Sequence, residues 1–150
     1  MSQVKEIAYS VLNAVTLGRG VPRRIGGETI RFPARWSRYY ENDYEPETFR
    51  FFRQNLKAGD TVLDIGGHIG LFAVVTARMV GETGKVFSFE PTPFTRGVLE
   101  EVVLLNGVSS VVEVRSEAVS SERGNTVFYD TGDAISNANS LVRTERSRSE

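Results

Sequence analysis

Asp64, Gly66, Gly67, Gly70 and Glu90 frame the stretch from residue 64 to residue 90. Asp64 comes first, Gly66, Gly67 and Gly70 follow within six residues, and Glu90 stands twenty residues beyond Gly70. Glycines at a turn let backbone come close to a ligand and leave amide N–H groups free where a helix begins. A carboxylate at the tip of a neighbouring strand can accept two hydroxyl hydrogen bonds, which suits a ribose diol. His68, the single histidine, sits inside the glycine turn. Its pKa range makes it a candidate general base, but its place in a turn fits a structural hydrogen-bond donor better.

These residues need a scaffold that holds them at one end of a sheet. Residues 61–65 (TVLDI) form a short apolar run with β-branched side chains, as expected of a strand buried on both faces. From about Ile69 to Val80, apolar residues recur at spacings of three and four, which predicts a helix stopped by Gly81 and Gly84. Residues 85–89 are a second strand ending on Glu90. The unit is β-α-β, with parallel strands and a right-handed crossover. Nucleotide-like ligands lie at the carboxyl ends of such strands, so residues 64–90 read as half of an adenosine site.

The dinucleotide fingerprint G-x-G-x-x-G does not fit. If Gly67 and Gly70 were its last two glycines, the first would fall on Ile65. The phosphate loop G-x-x-x-x-G-K-[ST] is absent too. What remains, Asp64-x-Gly66-x-x-x-Gly70 followed by Glu90, resembles the S-adenosylmethionine (SAM) loop of Rossmann-like methyltransferases, with His68 where many members carry a glycine. Four blocks, LKAGDTVLDIGGHIG, GKVFSFEPTPF, LLNG and EAVSSERG, resemble successive segments of the FkbM-type methyltransferases across residues 44–141. That resemblance implies SAM as cofactor, with Asp64, Gly66, Gly67, His68 and Gly70 shaping the loop and Glu90 on the ribose. It also implies Tyr44 and Glu45 near the methionine end, and Glu117 near the adenine amino group. No catalytic base is identifiable beyond His68.

Elsewhere the chain reads as support. Val4, Ile7, Ala8, Val11, Leu12 and Val15 make one apolar stripe, which predicts an N-terminal helix packed on its own domain; a partner helix is the alternative. Residues 21–33 read as a hairpin about Gly26-Gly27, kept off the main sheet or at its edge by Pro22 and Pro33. Six arginines lie between residues 19 and 38, a solvated basic face or a patch for an anionic substrate. A helix with Pro46 in its first turn runs to Lys57, and another begins at Pro93 after Thr92 as N-cap and stops at Asn106-Gly107. Residues 111–114 are a third buried strand and 125–130 a fourth; 132–140 read as loop and 142–150 as a flexible tail.

The expected fold class is therefore α/β: a Rossmann-like, doubly wound, mostly parallel sheet, incomplete at its C-terminal side and preceded by a helix and a β-hairpin. The expected division is an extension over 1–43, a SAM-binding domain over 44–141 and a tail over 142–150. The strand at 61–65 is expected to lack a neighbour on one side, because the family's later strand block is not among these residues; such an edge is an association hazard and points to a fragment or a truncated product. A chain of 150 residues is one domain by length. With no cysteine and one histidine, neither a disulfide framework nor a metal site is expected. No apolar run is long enough to span a membrane and no signal peptide is visible, so the expected location is the cytoplasm. At a net charge of −1, nucleic acid is not expected as partner.

The expected function is SAM-dependent methylation, by resemblance of a sugar or other small-molecule hydroxyl, with self-association possible through the sheet edge or the N-terminal helix. A non-catalytic module binding a nucleotide, RNA or protein is the alternative, and an NAD-type oxidoreductase domain is third.

Overall fold

The computed structural model describes residues 3–122, 124, 129–130 and 148–149. The elements in order are helix α1 (Gln3–Val15), strands β1 (Val21–Ile25) and β2 (Glu28–Phe32), a 3-10 turn at Ala34–Trp36, helix α2 (Pro46–Asn55), strand β3 (Thr61–Ile65), helix α3 (Leu71–Val80), strand β4 (Lys85–Phe89), helix α4 (Pro93–Leu105) and strand β5 (Val112–Arg115). Strands β3, β4 and β5 form a parallel sheet in that order, with Leu63 opposite Phe87 and Ile65 opposite Phe89. Strand β5 continues the register, with Val86 opposite Val112 and Ser88 opposite Val114.

Alternation along these strands decides where the core lies. Val86 and Ser88 are buried and share a face with Val62, Asp64, Val112 and Val114. Helices α3 and α4 supply Leu71, Val74, Val75, Leu99 and Val102 to the same core. The opposite face is not covered by any described helix. Leu63 and Ile65 are each 63% exposed, so β3 is half-buried on one face and bare on the other, not buried on both as its sequence suggests. Strand β3 is also an edge of the sheet, as β5 is on the other side. A continuous apolar run is the signature of a strand sandwiched between helices, and here one of those layers is missing among the described residues.

The hairpin forms its own two-stranded sheet, with Pro22 opposite Arg31, as the two prolines require. It still shares the core: Ile25, Ile30 and Phe32 are buried against the same cluster as Phe49 and Leu71. Asn106 fastens it. The Asn106 carboxamide accepts the Arg31 N–H at 3.0 Å and donates to the Arg31 carbonyl at 2.8 Å, acting as one residue of an added strand.

Helix α1 departs from its sequence reading. Val4, Ile7, Val11, Leu12 and Val15 are all exposed, so the apolar stripe does not pack on the domain. The short strands β6 (Tyr129–Asp130) and β7 (Arg148–Ser149) pair antiparallel, which places two residues of the expected tail in a strand. The rest of the expected tail, the loop at 132–140 and residues 125–128 of the expected fourth strand lie outside the described residues. Among the described residues no helix is long and apolar enough to cross a membrane, and no group of three or more acidic or histidine side chains could hold a metal ion.

Candidate cofactor-binding site

The turn after β3 is built from the backbone outward. The amides of Gly66 and Gly67 both donate to the Phe89 carbonyl, at 3.0 and 2.9 Å, and the Gly70 amide donates to the Gly67 carbonyl at 2.8 Å. These N–H groups are therefore committed within the protein and not free for a ligand, contrary to the expectation from the sequence. The reason is geometric: the turn closes against the end of the neighbouring strand, whose last carbonyl needs donors.

The glycines do different work. Gly67 is buried, and a Cβ there would collide with Ser88 Oγ and Leu99 Cδ1. Gly66 is exposed at φ +81° with open space where its Cβ would be, so it is the glycine that leaves room beside the turn. His68 also holds a left-handed φ of +50°, a conformation uncommon outside glycine.

Glu90 is buried, with 7% of its surface exposed. Its Oε2 accepts the His68 amide at 3.0 Å and its Oε1 the Thr92 amide at 2.9 Å. Its own amide donates to the Arg115 carbonyl at 2.9 Å, which extends the β4–β5 ladder. The side chain thus joins the glycine turn to the start of α4. Each carboxylate oxygen keeps a second lone pair for a further donor. Thr92 precedes α4 as expected, but it does so through its amide to Glu90 and without a side-chain cap bond.

Asp64 faces the same region from β3. It accepts the Ser88 hydroxyl at 2.7 Å. Burial pushes its carboxyl above the ordinary aspartate range, the Ser88 bond opposes this, and the charge of Glu90 adds to it. Ser88 was missed from sequence, although a hydroxyl in an inward slot of KVFSF is a readable signal.

His68 carries an aromatic shell. Its Nδ1 lies 3.1 Å from the Tyr40 hydroxyl, and the Tyr39 ring centre is 4.9 Å from the imidazole. Burial pulls the imidazole pKa down to about 4. Tyr40 packs on Tyr44 at 4.7 Å, and Tyr44 meets Phe72 of α3 at 6.2 Å. Burial, then the bond and charge of Glu45, raise the Tyr44 hydroxyl to about 12. Glu45 itself is exposed, holds φ +42° before α2 and accepts the Thr48 hydroxyl at 3.0 Å. The sequence singled out Tyr44 but not Tyr39 or Tyr40, whose side chains meet His68 of the turn. Glu117 lies exposed beyond β5, without a hydrogen bond or ion pair to these groups.

Asp64, the glycine turn, His68 and Glu90 are thus brought together at the carboxyl ends of β3 and β4, where open parallel sheets bind ligands. The family model for protein-L-isoaspartate(D-aspartate) O-methyltransferase matches residues 47–118, a span that contains β3 to β5 and the turn. A SAM-dependent O-methyltransferase structure from Thermotoga maritima superposes with a TM-score of 0.51 at 22% identity, over 71% of this chain and 44% of that one. The fold is that of the SAM-dependent methyltransferases. S-adenosylmethionine is the cofactor of the Thermotoga maritima enzyme.

A transferase structure from Pyrococcus horikoshii gives the same TM-score of 0.51 at 16% identity, covering 73% of this chain and 46% of that one. An arginine N(omega)-methyltransferase from Streptomyces achromogenes subsp. streptozoticus is 35% identical over 82 residues, 53% of this chain. This chain spans 22% of that relative's length.

Proposed function

We propose that this chain is the cofactor-binding portion of a methyltransferase, with the ligand held between the Gly66–Gly70 turn and Glu90. The observation that carries this is the hydrogen bond from the His68 amide to Glu90, which puts the acid against the glycine turn. Two further features fit the cofactor. Open space lies beside Gly66, and the two acids Asp64 and Glu90 suit a ligand whose sulfonium and ammonium outweigh its one carboxylate. Bound SAM supplies a methyl group already activated on sulfur. The task of the chain is then to bind, orient and exclude water. Glu90 takes the ribose hydroxyls on its remaining lone pairs while its amide partners hold it still. Asp64, kept in place by Ser88, faces the cationic end. Tyr44 and Glu45 flank the methionine side, and Glu117 serves the adenine. His68, neutral and weakly basic, is not a strong candidate for proton abstraction.

The four sequence blocks support a position near the FkbM-type enzymes, with 44–141 as the SAM-binding part and a hydroxyl oxygen as acceptor. A second reading rests on the 35% identical relative, whose name specifies an arginine nitrogen. RNA also stays among the acceptors to be tested, because Arg24 and Arg38 are exposed despite the near-neutral net charge.

Calorimetry with S-adenosylhomocysteine on wild type and Glu90→Ala tests the site. Loss of a carboxylate bonded to two hydroxyls should weaken binding by roughly 1.5–3 kcal/mol. Unchanged affinity removes Glu90 from the site. Release of S-adenosylhomocysteine in the presence of a sugar, an arginine peptide or RNA then separates the acceptors.

A further inference from the structure

Tyr40 and His68 together fix the position of a proton. Tyr40 is buried, and its hydroxyl lies 3.1 Å from His68 Nδ1. Two arrangements satisfy that distance. If Nδ1–H donated to the phenol, both the phenol hydrogen and the Nε2 lone pair would be stranded. If the phenol donates to Nδ1, only Nε2–H is left over. Counting donors and acceptors selects the second arrangement, so the ring carries its hydrogen on Nε2.

That N–H is closed off from solvent and has no hydrogen-bond partner. A buried polar group without a partner calls for an explanation, and ligand binding is one. His68 also occupies a left-handed backbone position. Both costs fall on one residue, in the turn that Glu90 grips by its amide. The His68 backbone serves Glu90, while the His68 ring lies against Tyr39 and Tyr40, with Tyr44 packed at a tilt on Tyr40. The ring thus belongs to the part of the site beyond the ribose. The Arg96 guanidinium is bound to the carbonyls of Glu90 and Pro91.

Building on the SAM-binding reading above, we propose that His68 Nε2–H is the donor for the carboxylate at the amino-acid end of SAM, with Tyr40 as the positioning residue that sets its tautomer. A neutral donor suits this place. It binds the carboxylate without opposing the neighbouring sulfonium and ammonium. Of the two rings against the imidazole, Tyr40 is buried and Tyr39 is 39% exposed, so Tyr39 is the one on the solvent side.

The experiment compares S-adenosylhomocysteine with 5′-methylthioadenosine, which keeps the adenosine and sulfur but lacks the amino acid. His68→Asn removes Nε2 and keeps a residue that tolerates left-handed φ. It should weaken S-adenosylhomocysteine about tenfold and leave 5′-methylthioadenosine within twofold. Tyr40→Phe should give a smaller loss of the same kind. Imidazole ¹⁵N spectra of the wild type should show Nε2 protonated and Nδ1 bare, with a shift on adding S-adenosylhomocysteine but not 5′-methylthioadenosine. Equal losses for both ligands, no loss for either, or a ring protonated on Nδ1 overturns the proposal while leaving the cofactor reading intact. A wild-type chain that binds neither ligand removes both.

Discussion

Glu90 Oε2 and the backbone N–H of His68 lie 3.0 Å apart, and this one bond joins the end of β4 to the glycine turn after β3. A second bond, from the Thr92 amide to Oε1, ties the same carboxylate to the start of α4. Glu90→Ala should therefore lower stability as well as affinity. Two amides bonded to a charged acceptor lose their partner, and a loss of about 2–4 kcal/mol is expected in urea denaturation. Glu90→Gln keeps one acceptor oxygen and should recover part of the stability.

His68 makes stability depend on pH. Its folded pKa of about 4 lies below the ordinary 6.5, so between these values the unfolded chain binds the extra proton. Stability should rise as pH goes from 4 to 6.5 and level off above. The ring is partly open to solvent, and with screening allowed for the contribution is about 2 kcal/mol. Asp64, with its raised pKa, contributes in the opposite sense, losing stability as pH climbs above the usual aspartate value. Comparing denaturation curves of wild type and His68→Asn at pH 4.5 and 7 isolates the histidine part; parallel curves would contradict it.

The neighbouring glycines should respond differently to alanine. At Gly67 the new methyl meets Ser88 and Leu99, an overpacking that should cost about 1–3 kcal/mol and disturb the Ser88–Asp64 bond. At Gly66 nothing stands in the way, and only the positive φ opposes the change, at about 1–2 kcal/mol. Gly66→Ala should instead show its larger effect on binding of S-adenosylhomocysteine, because its methyl enters the open space beside the turn. Thermal melts and calorimetry on the two variants separate these effects.

Asn106→Ala should release the hairpin. The Arg31 N–H and C=O each lose a partner, and Arg78 loses one of its contacts. A cost of about 1–3 kcal/mol is expected, with hydrogen exchange quickening first in β2.

The exposed face of β3 should drive association. Leu63 and Ile65 stand on an open edge strand. Light scattering should show the wild-type chain growing with concentration, and Leu63→Lys with Ile65→Lys should reduce this without unfolding the protein. If the double variant associates as before while Ile7→Lys with Val11→Lys on α1 does not, the helix stripe is the contact instead.

Local patterns announced the parallel unit well. TVLDI and KVFSF appear as β3 and β4 with the bounds their sequences suggest, because β-branched and aromatic runs closed by glycines admit few other structures. The helix at 71–80 starts two residues later than its periodicity indicates, since Gly70, in a left-handed conformation, is still the cap. Alternation could not reveal that Leu63 and Ile65 lie bare, for an apolar run says that a strand can be covered and not that a cover is present. The stripe on α1 carried the same ambiguity.

From the order of its residues alone, this protein was bound to place a glycine turn at the end of one strand and an acid at the same end of the next, because a helical crossover between adjacent strands makes them parallel. Folding in three dimensions decided what those groups touch. It put the Gly66 and Gly67 amides on the Phe89 carbonyl, brought Tyr40 from 28 residues away onto His68, and left one imidazole nitrogen without a partner. Hydrogen-bond accounting is settled only when distant segments meet, and no local pattern carries that information.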